Sequence, residues 1–206
     1  MSLHHPYDDT LARFAAGRLG AGPSLVVATH MHGCRDCRAR VGLFEAVGGA
    51  LLEETPCAAV RPDMFATALR RIEETAERTT PLAPRPASPL DGIEMPPWRG
   101  LGGGFQWRRL NLPYAPEANV IMLKAAPGLT MPQHTHAGVE YTQILQGGFH
   151  DDFGRYFAGD CIEADSEVDH QPIVDSNVEC ICLAAFDGHL KLRGWVGRLL
   201  QPWLGL

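Results

Sequence analysis

Positive charge is scarce in this sequence, and so is any long apolar run. Lys and Arg number 18 against 24 Asp and Glu, a formal charge of −6, which argues against a nucleic-acid binder that relies on a broad basic surface. No apolar stretch approaches the roughly 20 residues needed to cross a bilayer. The first residues, with His4, His5, Asp8 and Asp9, lack the basic and apolar regions of a secretory signal. No internal repeat of fixed period is visible. The expectation is a soluble, cytoplasmic protein with no direct nucleic-acid partner and no membrane.

Cysteine, by contrast, is present six times, at positions 34, 37, 57, 161, 180 and 182. A disulfide scaffold belongs to short secreted chains; in a cytosolic chain of 206 residues, clustered cysteines are more often metal-binding or redox-active. Only Cys34 and Cys37 sit among nearby histidines. Cys180 and Cys182 would share one face of a strand, as small buried hydrophobes or as an oxidisable pair. Cys57 and Cys161 carry no case beyond packing, and Asp151, Asp152 and Asp160 read as turn residues.

Hydropathy patterning divides the chain in two. Asp8 or Asp9 can cap a helix carrying Leu11, Phe14, Ala15 and Leu19, ended by Gly20 and Gly22. Pro23 suits the first turn of a second helix that runs toward Gly33. "CRDCRARVGLFEAVGGALLEE" continues as a longer amphipathic helix. After Pro56, "PDMFATALRRIEETAERTT" carries Phe65, Leu69 and Ile72 as one apolar stripe on a mostly polar helix. Prolines at 81, 84, 86, 89, 96 and 97 then rule out a persistent helix or central strand. The predicted organisation is a helical domain over 1–80, a Pro-rich linker over 81–97 and a β domain over 98–206. In the last, short runs such as "GFQWRRLNL", "ANVIMLKAA", "EYTQILQGGFHDD" and "VECICLAAF" point to an antiparallel sandwich or barrel. The fold class is multidomain α + β.

Two constellations carry chemistry. In "THMHGCRDCRAR" the spacing His30-x3-Cys34-x2-Cys37 places two thiols one helical turn apart, beside a histidine that ends the preceding helix. A haem attachment site needs His directly after Cys37, where Arg38 stands. A thioredoxin-type dithiol needs a βαβ setting, and this region reads as helix. Zinc remains, with free buried thiols as the alternative, and a zinc tetrahedron wants a fourth ligand. His5 is the candidate, with His4 and His32 as competing choices. In the β domain, Gly128, His134, His136, Glu140 and Gly147 follow a G-x5-H-x-H-x3-E-x6-G pattern. A strand puts His134 and His136 on one face, a turn at Ala137 and Gly138 brings Glu140 back in a hairpin, and His170 joins from a later strand. Three histidines and a carboxylate suit zinc, Fe, Mn or Ni.

The second constellation resembles the first cupin motif at each fixed position. Gly159, Asp160 and His170 fit the second motif in part, but its usual proline is replaced in "EADSEVDH". With the helical His-x3-Cys-x2-Cys unit ahead of it, the chain resembles the ChrR type of zinc-binding anti-sigma factor. "AAGRLG", "SLVVATH", "CRARVG", "AVGGALLEET", "LGGG", "LQGGF", "CICLAA" and "QPW" carry that likeness. It implies zinc at His5, His30, Cys34 and Cys37, a second divalent metal in a cupin barrel, and a group IV (extracytoplasmic-function) sigma factor as partner. It further implies that the helical domain inhibits sigma, with Phe65, Leu69 and Ile72 packed on it. The cupin-like domain would trigger release on singlet oxygen or related oxidative stress. Such a protein regulates transcription and has no catalytic residues. The competing reading is a cupin dioxygenase holding Fe(II) at His134, His136, Glu140 and His170; a third treats the cupin-like domain as a small-ligand sensor.

Overall fold

A computed structural model describes residues 2–76, 88–188 and 190–192. The proline-rich stretch expected as a linker lies partly outside these residues, and the "QPW" run lies wholly outside them. Four helices come first: α1 (Asp8–Ala15), α2 (Ala21–Gly33), α3 (Arg35–Glu53) and α4 (Met64–Ala76). Asp8 and Asp9 are not the cap of α1; Tyr7 is, with no side-chain cap bond, and the two acids occupy the first turn, where they face the positive end of the helix dipole. The helix also stops earlier than its periodicity predicts, at Ala15, so Leu19 is buried from the loop that follows.

α2 is apolar on several sides, burying Gly22, Pro23, Leu25, Val26, Val27 and His30. Such a pattern belongs to a helix covered on more than one flank. It is covered by α1 and α3 on one side and by strands on the other.

The strands are β1 (Arg99–Gly102), β2 (Phe105–Arg109), β3 (Val120–Ala125), β4 (His134–His136), β5 (Val139–Gln146), β6 (Gly148–His150), β7 (Arg155–Phe157), β8 (Cys161–Ala164), β9 (Ile173–Val174), β10 (Cys180–Asp187) and β11 (Leu190–Leu192). They pair antiparallel in three sheets: a six-stranded one in the order β1-β2-β3-β10-β5-β8, a pair β11-β4, and β7-β6-β9. β4 and β5 do not form the expected hairpin. They belong to different sheets, and the Ala137–Gly138 corner carries the chain between them. A β-carbon on Gly138 would lie 1.6 Å from the Asp187 carbonyl oxygen, so only glycine fits there.

Period-2 alternation gives the large sheet two working faces. Phe105, Trp107, Ile121, Leu123, Thr142 and Cys182 are among the residues that turn into a cavity of about 380 Å³. Their neighbours Val120, Met122, Tyr141, Cys161, Leu183 and Ala185 turn the other way, into one buried cluster with Leu11, Leu25, Val26, Val27 and Val41 of the helices. Leu90 and Ile93, near the end of the proline-rich stretch, pack on the same cluster. No described helix is long and apolar enough to cross a membrane.

Candidate metal centres

His5, His30, Cys34 and Cys37 converge, each offering one ligand atom within 4.8 Å of the others. His30 ends α2. Cys34 is the N-cap of α3 and its sulfur accepts from the Cys37 amide at 3.5 Å. His5 arrives from the segment before α1; its Nδ1 lies 3.3 Å from His30 Nε2 and 3.4 Å from each sulfur. A zinc tetrahedron with ordinary Zn–N and Zn–S bonds has edges of about 3.3 Å between nitrogens and about 3.6 Å between nitrogen and sulfur. The donor set and its spacing therefore fit zinc. His4 points elsewhere, to Asp160 Oδ2 at 3.2 Å and against the Tyr156 ring, and His32 is exposed. Burial pushes His30 below its ordinary pKa; burial and the adjoining Cys34 push the Cys37 thiol up to about 12.

The second cluster gathers His134, His136 and His170, again with ligand atoms within 4.8 Å. A reciprocal pair of backbone hydrogen bonds, 3.1 Å each, sets His134 opposite His170, and their Nε2 atoms stand 3.0 Å apart. Glu140 joins through His136: its Oε2 is 2.7 Å from His136 Nε2, yet neither buried atom has a hydrogen-bond partner. They face each other closely without hydrogen-bond alignment, as two groups do when both are aimed at a third atom. Each histidine also has its Nδ1 tied off: His134 to the Pro132 carbonyl at 2.8 Å, His136 to the Asp165 carbonyl at 3.3 Å, and His170 to Asp151 Oδ2 at 2.7 Å. Metal-ligating histidines are held in this way, with the far nitrogen bonded and the near one free for the ion. Burial pushes Glu140 up, but His136 and the Thr142 hydroxyl, which donates at 2.6 Å, outweigh it and bring the carboxyl down to about 2. Burial lowers His134; at His136 burial also acts downward, and the Glu140 carboxylate overrides it.

Cys180 and Cys182 face the same cavity from β10, their sulfurs 3.6 Å apart and unbridged. Phe65, Leu69 and Ile72, expected on a partner, are exposed on α4 (75%, 46% and 65%), and no side chain of α4 through Glu74 is buried. Sequence reading overlooked a matching stripe on α3. Leu43, Val47 and Leu51 recur at i, i+4 and i+8 and are all exposed; that spacing was available, but amphipathicity alone does not say whether the apolar face meets its own chain. It also read Asp151 and Asp160 as turn formers only. Asp151 does cap a turn at Phe153 and Gly154, and Asp160 receives the Leu3 amide at 2.7 Å.

A helical unit that gathers two histidines and two cysteines is thus laid on an antiparallel β domain that gathers three histidines with a glutamate beside them. The ChrR cupin-like domain family matches residues 92–190. The anti-sigma-E factor ChrR of Cereibacter sphaeroides is 40% identical over 207 residues, spanning 97% of this chain and 96% of its own length. The crystal structure of Rhodobacter sphaeroides SigE in complex with the anti-sigma ChrR matches 91% of this chain and all of its counterpart, with 38% identity and a TM-score of 0.77. The chain belongs to the ChrR family of anti-sigma factors.

Proposed function

We infer that this protein is an anti-sigma factor that sequesters a group IV sigma factor in the cytoplasm and keeps it from RNA polymerase. It is a regulator and not an enzyme. The observation that carries the reading is the pair of exposed apolar stripes, Leu43, Val47 and Leu51 on α3 and Phe65, Leu69 and Ile72 on α4. Exposed apolar stripes of this kind mark a protein interface, and two helices that each present one are suited to clasping a partner. In this reading, residues 1–80 are the sigma-binding unit, 98–206 the input domain, and the segment between them the connection.

Zinc at His5, His30, Cys34 and Cys37 would tie the N-terminus to α2 and α3 and supply much of the folding free energy of a small helical unit. A second divalent metal, zinc, Fe, Mn or Ni, would sit at His134, His136, Glu140 and His170. The cupin-like domain takes the input, singlet oxygen or related oxidative stress, and releases sigma. Mixed with its cognate sigma factor, the purified protein should form a stable complex unable to join core polymerase. His30→Ala and Cys34→Ala should lose that inhibition, and so should protein stripped by a chelator. Normal inhibition by both variants would remove zinc from the account.

A further inference from the structure

The residues around the N-terminal cluster come from an unexpected place. The ring nitrogen of His30 that faces away from the cluster, Nδ1, lies 3.0 Å from Gln143 Oε1 and 3.1 Å from the Gly159 carbonyl. Both belong to the β domain. Gln143 is 4% exposed, and its Nε2 donates to the Ile144 carbonyl at 2.9 Å, which fixes Oε1 as the end turned to His30. Two acceptors facing Nδ1 put the imidazole proton there and leave the Nε2 lone pair aimed at His5 and the thiols. His5 is held likewise. Asp160 accepts from the Leu3 and His4 amides, the Cys161 amide donates to the His4 carbonyl, and Glu163 accepts from the Tyr7 amide and the Thr10 hydroxyl.

We propose that the β domain forms the outer coordination shell of the helical unit's metal cluster, with Gln143 as the positioning residue for His30. The proposal rests on the reading that His5, His30, Cys34 and Cys37 bind a metal. It makes retention of that metal depend on the docked state of the input domain. The dependence is built into one strand: on β5, Glu140 and Thr142 face the second cluster while Tyr141 and Gln143 face the helices. A shift of β5 at one face is therefore felt at the other.

The test uses the full-length protein loaded with Co(II). A thiolate-to-cobalt charge-transfer band reports the cysteine-containing cluster alone, because the second cluster offers only nitrogen and oxygen donors. Gln143→Met is nearly isosteric and lacks the acceptor, and the Ile144 carbonyl keeps a donor in the Gly159 amide. Under excess EDTA its band should decay about 10- to 100-fold faster than that of the wild type. Gln143→Glu, which keeps the acceptor, should restore slow release, and the metal-free proteins should share one thermal midpoint. Gln143→Asn, which withdraws the amide by one methylene, should also release quickly and serves if the Met variant does not fold. Equal decay in wild type and whichever of these variants folds overturns the outer-shell role. So does fast release that Gln143→Glu fails to slow. Absence of the band in the wild type overturns the metal reading and this proposal with it.

Discussion

At the scale of single residues, two positions show how closely the β domain is specified. Gly138 is compelled by its approach to the Asp187 carbonyl. Gly138→Ala should cost on the order of 3 kcal/mol or more, since backbone on both sides cannot yield; urea unfolding measures it, and an unchanged midpoint would contradict the close approach. Asp160 is the anchor of the N-terminus. Burial pushes its carboxyl up, but the Phe157, Leu3 and His4 amides outweigh that and hold it below the ordinary carboxylate range. A group with a depressed folded pKa stabilises the fold above its unfolded value, about pH 4, and loses that contribution as pH falls through the folded value. Asp160→Asn should therefore be less stable by roughly 2 kcal/mol at pH 5 to 7. The gap between variant and wild type should close below pH 4, and urea midpoints taken across that range would reveal a gap that persists.

At the scale of elements, α3 and α4 differ from α1 and α2 in what their apolar faces meet. α1 and α2 bury theirs against the sheet and each other, whereas α3 beyond Phe44 and α4 through Glu74 bury nothing. Leu43→Asp or Phe65→Asp should leave stability within about 0.5 kcal/mol of wild type, as exposed substitutions do. The same changes should weaken sigma binding by about 2 kcal/mol, roughly 30-fold. Calorimetric titration against the sigma factor, beside a thermal melt, separates the two effects; binding unaffected by both substitutions would place the interface elsewhere. The α4 stripe could be read from sequence because the rest of that helix is polar. The α3 stripe could not, because the first half of α3 does bury Cys37 and Val41, and one pattern served two purposes.

At the scale of the whole molecule, the helical unit and the β domain share a single buried cluster. Gly22 marks one close approach: a β-carbon there would lie 3.0 Å from Val120 Cγ2 and 3.2 Å from Ala185 Cβ. Alanine is the better helix former, by up to about 1 kcal/mol, but overpacking costs about 1–3 kcal/mol. Gly22→Ala should thus lower the thermal midpoint, and a raised one would mean that the two parts do not press together as described.

The sequence by itself brought out the two candidate ligand clusters, the first but for its fourth member, because metal chemistry demands particular side chains at short spacings, and those spacings survive in one dimension. It determined the helical and β halves as well, through periods of 3.6 and 2. The tertiary structure decided that fourth member and the partners of the candidate ligands. His5 takes its place instead of His4 because Asp160 and Tyr156, more than 150 residues away, claim His4. Gln143 meets His30, 113 residues earlier, because a sheet has two faces and the helices cover the one opposite the cavity. Contacts of that range leave no periodic trace in a single sequence, since neither partner carries a local signal of the other.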